Sequence, residues 1–210
     1  MKSAGIILGG GTGSRFSSDL PKQFVKLNEK PVINHSIEIF IEAVNIVVAV
    51  IHPNWIDYAR EILPPVCIVA GGNSRQESVY NGLCALKDKD IKTVAIHDSA
   101  RPFMSKQLLL NAIKTAEKYK CAVPVISIND TLAVLENGVI VRYEDRSRIF
   151  AVQTPQAFDF KAIREAHTKA QKENRFDFTD DSSLFKEYGG KVYCIDGEQQ
   201  NIKITYTTDI

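Results

Sequence analysis

The chain has 210 residues, and 26 Lys and Arg against 25 Asp and Glu leave a formal net charge of +1. A hydrophobic fraction of 44% and a charged fraction of 24% exclude a disordered or fibrous chain and fit an ordinary globular one. Near-neutral charge argues against general nucleic-acid binding, which needs a basic excess, but allows a local basic pocket for a small phosphorylated ligand.

The longest apolar run, 46–51, falls far short of the ~20 residues that cross a bilayer, so no membrane partner is expected. Residues 1–8 run into glycines too early for a secretory signal. Cys67, Cys84, Cys121 and Cys194 are widely spaced, with no C-x-x-C pair, which argues against zinc or a redox motif. Their apolar surroundings predict buried free thiols. The expected localisation is cytoplasmic.

In chain order, short Ile- and Val-rich runs predict strands at 4–8, 46–51, 66–69, 93–96 and 122–126. Amphipathic stretches between them predict helices at 32–43, 55–63, 76–86 and 106–118, the last with Leu109, Ile113 and Ala116 at helical spacing. Apolar strands alternating with helices predict an α/β fold, a mostly parallel sheet with helices on both faces. In such sheets ligands bind beyond the carboxyl ends of the strands, which singles out the loops after Leu8, Val69 and Ile96. Past residue 126 the pattern changes. Asn137-Gly138 between β-prone runs at 131–135 and 139–143 predicts a β-hairpin arm over about 129–148. Helices at 161–172 and 180–188 and a strand at 191–195 complete the chain, which shows no linker and reads as a single domain over 1–210.

The loop after the first strand, Gly9-Gly10-Gly11-Thr12-Gly13-Ser14-Arg15, allows backbone N–H groups to approach a ligand and cradle an anion. Neither G-x-G-x-x-G nor the Gly-Lys-Ser/Thr of a P-loop is met; from Gly9 the third position is Ser14, and from Gly11 it is Phe16. A plain flexible turn is the alternative. Arg15 and the following Pro21-Lys22-Gln23 add two cations suited to a triphosphate. Asp98, just past the strand at 93–96, suits Mg²⁺ chemically, although a helix cap or an ion pair with Arg101 would also account for it. Asn73 or Ser74 can cap the helix that follows. In a plain strand at 201–205, Ile202 and Ile204 would face the core and Lys203 would face solvent.

Together these residues resemble the L-x-x-G-x-G-x-R…P-K-Q signature of the 2-C-methyl-D-erythritol 4-phosphate cytidylyltransferase family. The likeness continues through Gly71-Gly72-Asn73-Ser74-Arg75-Gln76-Glu77-Ser78, His97-Asp98-Ser99-Ala100-Arg101-Pro102, Asp130-Thr131 and Asp145-Arg146. It ends with Gln153-Thr154-Pro155-Gln156, Thr179-Asp180-Asp181 and Asn201-Ile202-Lys203-Ile204-Thr205. The resemblance implies the Rossmann-like nucleotide-diphosphosugar-transferase fold. It also implies transfer of a cytidylyl group from CTP to a sugar-alcohol phosphate, with Mg²⁺ as cofactor and a homodimer formed through the arm. It makes Arg15, Lys22 and Lys203 catalytic and Asp98 the metal ligand. Gly9, Gly10, Gly11, Gly13, Gly72, Asn73, Arg75, Ser78, Ser99 and Arg101 would bind the nucleotide. Thr131, Arg146, Thr154, Thr179 and Lys203 would bind the acceptor, Thr131 and Arg146 serving the partner subunit's substrate. His97 is read as structural, because an already ionised phosphate nucleophile needs no base. Ala133 stands where the family commonly has a basic residue, and Gly9-Gly10 stands for its usual Ala-Ala. Gly9-Gly10 also resembles ribitol-5-phosphate cytidylyltransferases, so that acceptor stays open, as does a non-catalytic nucleotide-binding protein on the same fold.

Overall fold

A computed structural model of the chain describes residues 2–11 and 20–209. In chain order the elements are β1 (Ser3–Gly9), β2 (Lys26–Leu27), β3 (Lys30–Pro31), α1 (Val32–Ala43), β4 (Ile46–Ile51), α2 (Ile56–Ile62), β5 (Cys67–Ala70) and α3 (Arg75–Ala85). There follow β6 (Thr93–Asp98), α4 (Lys106–Tyr119), β7 (Cys121–Ser127), β8 (Leu132–Glu136), β9 (Val139–Glu144), β10 (Phe150–Val152) and β11 (Gln156–Asp159). The last elements are α5 (Phe160–Lys172), α6 (Asp181–Glu187) and β12 (Cys194–Asp196).

The main sheet runs β10-β7-β11-β6-β1-β4-β5, with β12 beside β7. β1, β4, β5 and β6 are mutually parallel, as are β7 and β12. The chain steps outward from β1 to β4 and β5, then returns to the other side of β1 as β6. That reversal creates a crevice at the strand ends, where open α/β sheets take ligands.

Alternation along the strands divides the core in two. Ile6, Leu8, Val48, Val50, Val94, Ile96 and Phe158 pack with Val79 and Leu83 of α3, Ile163 of α5 and Phe185 of α6. Ile7, Ala49, Ile51, Ala95 and Ala122 face the other way, onto Ile33, Ile37 and Phe40 of α1 and Leu109 and Ile113 of α4. Ser105 caps α4 by accepting from the Leu108 amide, and Ser74 caps α3 in a reciprocal box with Glu77.

The five predicted core strands and the six predicted helices are present, with ends shifted by a residue or two. The arm forms as read from Asn-Gly: β8 and β9 pair antiparallel across Asn137 (φ +50°) and Gly138 (φ +80°), the left-handed pair that a two-residue hairpin loop needs. The strand predicted at 191–195 shrinks to β12. β11 was not foreseen; it enters antiparallel between β6 and β7. The expectation of four buried thiols is corrected: only Cys121 is buried, Cys84 is half-buried, and Cys67 and Cys194 are exposed. The exposed pair sits on β5 and β12, strands with a neighbour on one side only.

At Gly5 the sheet and α1 approach closely. A Cβ there would sit 2.1 Å from a ring carbon of the fully buried Phe40. Gly5→Ala should therefore cost about 2–3 kcal/mol of stability through overpacking and lower the melting temperature by roughly 5–10 °C. Thermal unfolding followed by circular dichroism checks this, and an unchanged midpoint would show that the Phe40 ring gives way.

Candidate functional site

Two cavities open at the crevice. The smaller, about 510 Å³, lies among Gly10 and Gly11 after β1, Lys22, the loop Gly71 to Ser74 before α3, Ser78, and Ser99 after β6. The larger, about 930 Å³, lies among Arg101, Gln153, Thr154, Gln156, Thr179, Lys186 and Lys191. Arg75, Asp98 and Lys203 line both, so these three side chains form the wall between them.

That wall is an ion-pair cluster. Asp98 ends β6 with its side chain 13% exposed, receiving Arg75 Nε on one oxygen at 3.1 Å and Lys203 Nζ on the other at 2.6 Å. Burial alone would raise the Asp98 carboxyl, but Arg75 and Lys203 hold it well below the usual carboxylate range, so it is ionised. The alternative ion pair with Arg101 is not formed.

The neighbouring loops are fixed by side chains. Gln23 is buried and donates to the carbonyls of Gly9 at 2.7 Å and Gly11 at 3.1 Å, tying down the described part of the glycine loop. Ser78 Oγ accepts from the Gly72 amide at 3.1 Å and donates to the Ser74 carbonyl at 2.9 Å. A Cβ on Gly72 would come within 2.4 Å of the Glu77 Cβ, so only glycine fits against the start of α3. Lys22 Nζ donates to the Ile204 carbonyl at 2.9 Å.

Lys203 is not on a strand. The expected alternation is corrected: Ile204 is fully buried while Ile202 is 43% exposed. The segment is instead held by side-chain bonds. Asn201 Nδ2 donates to the Thr154 carbonyl at 2.9 Å, Gln153 Nε2 to the Glu198 carbonyl at 2.8 Å, and Arg101 to the Asn201 carbonyl at 2.7 Å. Arg101, expected at the nucleotide, thus lines the larger cavity and braces the loop that carries Lys203.

His97 is fully buried behind Asp98. Its Nε2 faces the Arg101 carbonyl at 3.1 Å and therefore carries the proton. Its Nδ1 lies 3.1 Å from Thr154 Oγ1, which accepts the Asp98 amide at 3.1 Å. Burial pushes its pKa down to about 4, so the ring is neutral near pH 7.

Thr131 and Arg146 line neither cavity. Both are exposed at the base of the arm, where Arg146 donates to the Asn129 carbonyl. Gly13 and Arg15 lie outside the described residues. Among expected residues that are described, Gly10, Gly11, Lys22, Gly72, Asn73, Arg75, Ser78, Ser99, Asp98 and Lys203 meet at the smaller cavity; Arg101, Thr154 and Thr179 meet at the larger. Gly9 lies just behind, at the end of β1. Sequence reasoning gave no role to Gln23, Gln153 and Asn201, although each stood inside a quoted motif; their signal was a buried amide with backbone partners, which the chain order does not display.

A family model described as 2-C-methyl-D-erythritol 4-phosphate cytidylyltransferase matches residues 4–210. The protein of that name from Clostridium botulinum is 40% identical, over 98% of this chain and 94% of its own length. The one from Thermosipho africanus is 38% identical with the same coverage. Among solved structures, 4-diphosphocytidyl-2C-methyl-D-erythritol synthase from Anaerococcus prevotii superposes with a TM-score of 0.86 at 28% identity, over 99% of this chain and 92% of that one. The cytidylyltransferase from Thermus thermophilus gives 0.84 at 29% identity, over 100% and 95%. The chain therefore belongs to the 2-C-methyl-D-erythritol 4-phosphate cytidylyltransferase family.

Proposed function

We propose that this chain transfers the cytidylyl group of CTP to 2-C-methyl-D-erythritol 4-phosphate, yielding 4-diphosphocytidyl-2-C-methyl-D-erythritol and pyrophosphate. The observation that carries the reading is the shared wall: two cavities of substrate size have Arg75, Asp98 and Lys203 in common among the described residues. The smaller cavity suits CTP. Its base and ribose lie toward Gly72, Asn73 and Ser78, with Ser99 nearby, and its phosphates toward Gly10, Gly11 and Lys22. Gly9 stands just behind them, and the nucleotide roles of Gly13 and Arg15 follow from the family resemblance alone. The larger cavity takes the acceptor, with Thr154, Thr179, Arg101 and Lys203 around it.

An oxygen of the acceptor phosphate attacks the α-phosphorus in line. A new phosphorus–oxygen bond forms, the bond to the β-phosphate breaks, and its electron pair leaves with pyrophosphate. The nucleophile is already an anion, so no base is required, in keeping with a buried and fully hydrogen-bonded His97. What the protein supplies is alignment and positive charge from Arg15, Lys22 and Lys203.

Among the described residues no group of three or more His, Cys, Asp or Glu side chains could hold a metal. One ionised carboxylate at the junction, Asp98, nevertheless fits Mg²⁺, which commonly binds through one or two carboxylates together with substrate phosphates. When bound there, Mg²⁺ would neutralise phosphate charge, and Asp98 would have to release Lys203 or Arg75 from one oxygen.

We also propose a homodimer through the arm. Leu135, Val139, Ile140, Val141 and Tyr143 are exposed on it, an apolar cluster that a second copy would cover. Thr131 and Arg146 would then reach the acceptor bound by the partner subunit. A cytoplasmic location agrees with the described residues, in which no helix is long and apolar enough to cross a membrane.

Pyrophosphate release measured with CTP and either methylerythritol phosphate or ribitol 5-phosphate tests the reaction; turnover with the second acceptor alone would overturn the assignment. Lys22→Ala should keep its fold and bind CTP but lose about 10²–10³-fold in kcat, because the interaction strengthens as charge develops. Near-normal kcat in a folded Lys22→Ala would remove this lysine from the mechanism. Arg146→Ala should raise the acceptor KM with little change in the KM for CTP, and removal of residues 131–143 should give monomers of low activity. A fully active monomer, by sizing chromatography and turnover, would deny the arm both roles.

A further inference from the structure

Asp181 lines neither cavity, yet it is a carboxylate only 1% exposed, in the first turn of α6. One oxygen accepts from Arg75 at 2.9 Å and the other faces His167 Nε2 at 3.1 Å. His167 is itself fully buried on α5, and its Nδ1 has no hydrogen-bond partner. The imidazole is therefore committed to Asp181 and fixes the orientation of that carboxylate.

Arg75 is in this way divided between two acids. Its Nε reaches Asp98 and its terminal nitrogen reaches Asp181. The charges of the three wall residues and of Asp181 behind them, two carboxylates against Arg75 and Lys203, sum to zero. Without the Asp181 charge, one carboxylate would face two cations, and an undivided guanidinium is well shaped to close on it with both prongs. Release of Lys203 would then free no Asp98 oxygen for another cation.

We propose that Asp181 is a positioning residue: by holding one arm of Arg75 it limits that guanidinium to a single bond with Asp98, so that release of Lys203 alone frees the second Asp98 oxygen for a divalent cation. The proposal rests on the reading of Asp98 as the metal ligand. His167 acts behind it by aiming the Asp181 carboxylate.

The test uses Mn²⁺ as probe, its affinity for the protein–CTP complex being followed by calorimetry and water-proton relaxation rather than by turnover. Asp181→Asn should weaken Mn²⁺ binding about tenfold or more, the usual scale for losing a group that orients a metal ligand. CTP binding without divalent cation should change less than about twofold, and so should Mn²⁺ binding when Asp181→Asn is added to Arg75→Gln, because the two act through one another. Thermal melts confirm that each variant is folded; Asp181→Ser, which removes the charge and leaves space for water, serves if the Asn variant does not fold. Unchanged Mn²⁺ affinity in folded Asp181→Asn, with loss in Asp98→Asn, would overturn this proposal alone. An equal loss with and without Arg75 would also overturn it, since Asp181 would then act by another route. Full Mn²⁺ affinity in Asp98→Asn would remove the metal reading and this proposal with it.

Discussion

A carboxylate at the buried end of a central strand is stable only if its charge is answered. Asp98 stands at the end of β6 with little access to water, and an unpaired ion there would cost several kcal/mol. Its two partners come from far along the chain, Arg75 from α3 and Lys203 from the C-terminal loop. The requirement that this one charge be balanced therefore fixes where three distant segments meet. Each partner needs its own support. Arg75 is held by Asp181 on α6, and Lys203 by a loop bonded to Gln153, Thr154 and Arg101.

The sheet makes that meeting possible. Chain reversal at β1 leaves the ends of β1 and β6 facing a common opening, and the insertion of β11 beside β6 brings Gln153 and Thr154 to the same edge. One network then serves both ends of the wall: the Thr154 hydroxyl accepts the Asp98 amide, and its carbonyl accepts Asn201. A chain of neutral hydrogen bonds behind the carboxylate lets its charge face the cavities rather than the core. This is the preorganisation that a reaction carried by charge placement requires.

Much of this architecture was legible because it is local. Runs of Ile and Val bounded by turns mark the parallel strands, Asn137-Gly138 marks the arm, and Ser74 and Ser105 mark helix starts; each signal lies within a few residues of its effect. The site loops followed from a general rule about strand ends. The misses are non-local. Gln156-Ala157-Phe158-Asp159 has no strand signature of its own and becomes a strand because β6 and β7 leave a slot between them. Periodicity suggested that Ile202 and Ile204 share a face, but side-chain bonds to Asn201 and Gln153 override it. The thiols of Cys67 and Cys194 are exposed because of where their strands lie in the sheet, a property of sheet order rather than of neighbouring residues.

Charge pairing was the least legible layer for a related reason. Arg75, Asp98, Asp181 and Lys203 stand in four separate motifs, and nothing in the motifs says which nitrogen meets which oxygen. Arg75 could have bonded Asp98 alone; the distances show it divided. The difference is chemical. An arginine closed on one carboxylate occupies both of its oxygens, whereas an arginine shared between two takes one oxygen of each and leaves the second to another partner, Lys203 on Asp98 and His167 on Asp181. With one oxygen of Asp98 on Arg75 and the other on Lys203, either partner can leave while the remaining one still answers the carboxylate charge. The arrangement that stabilises the buried carboxylate is for that reason also the one that lets the wall regroup around a charged substrate.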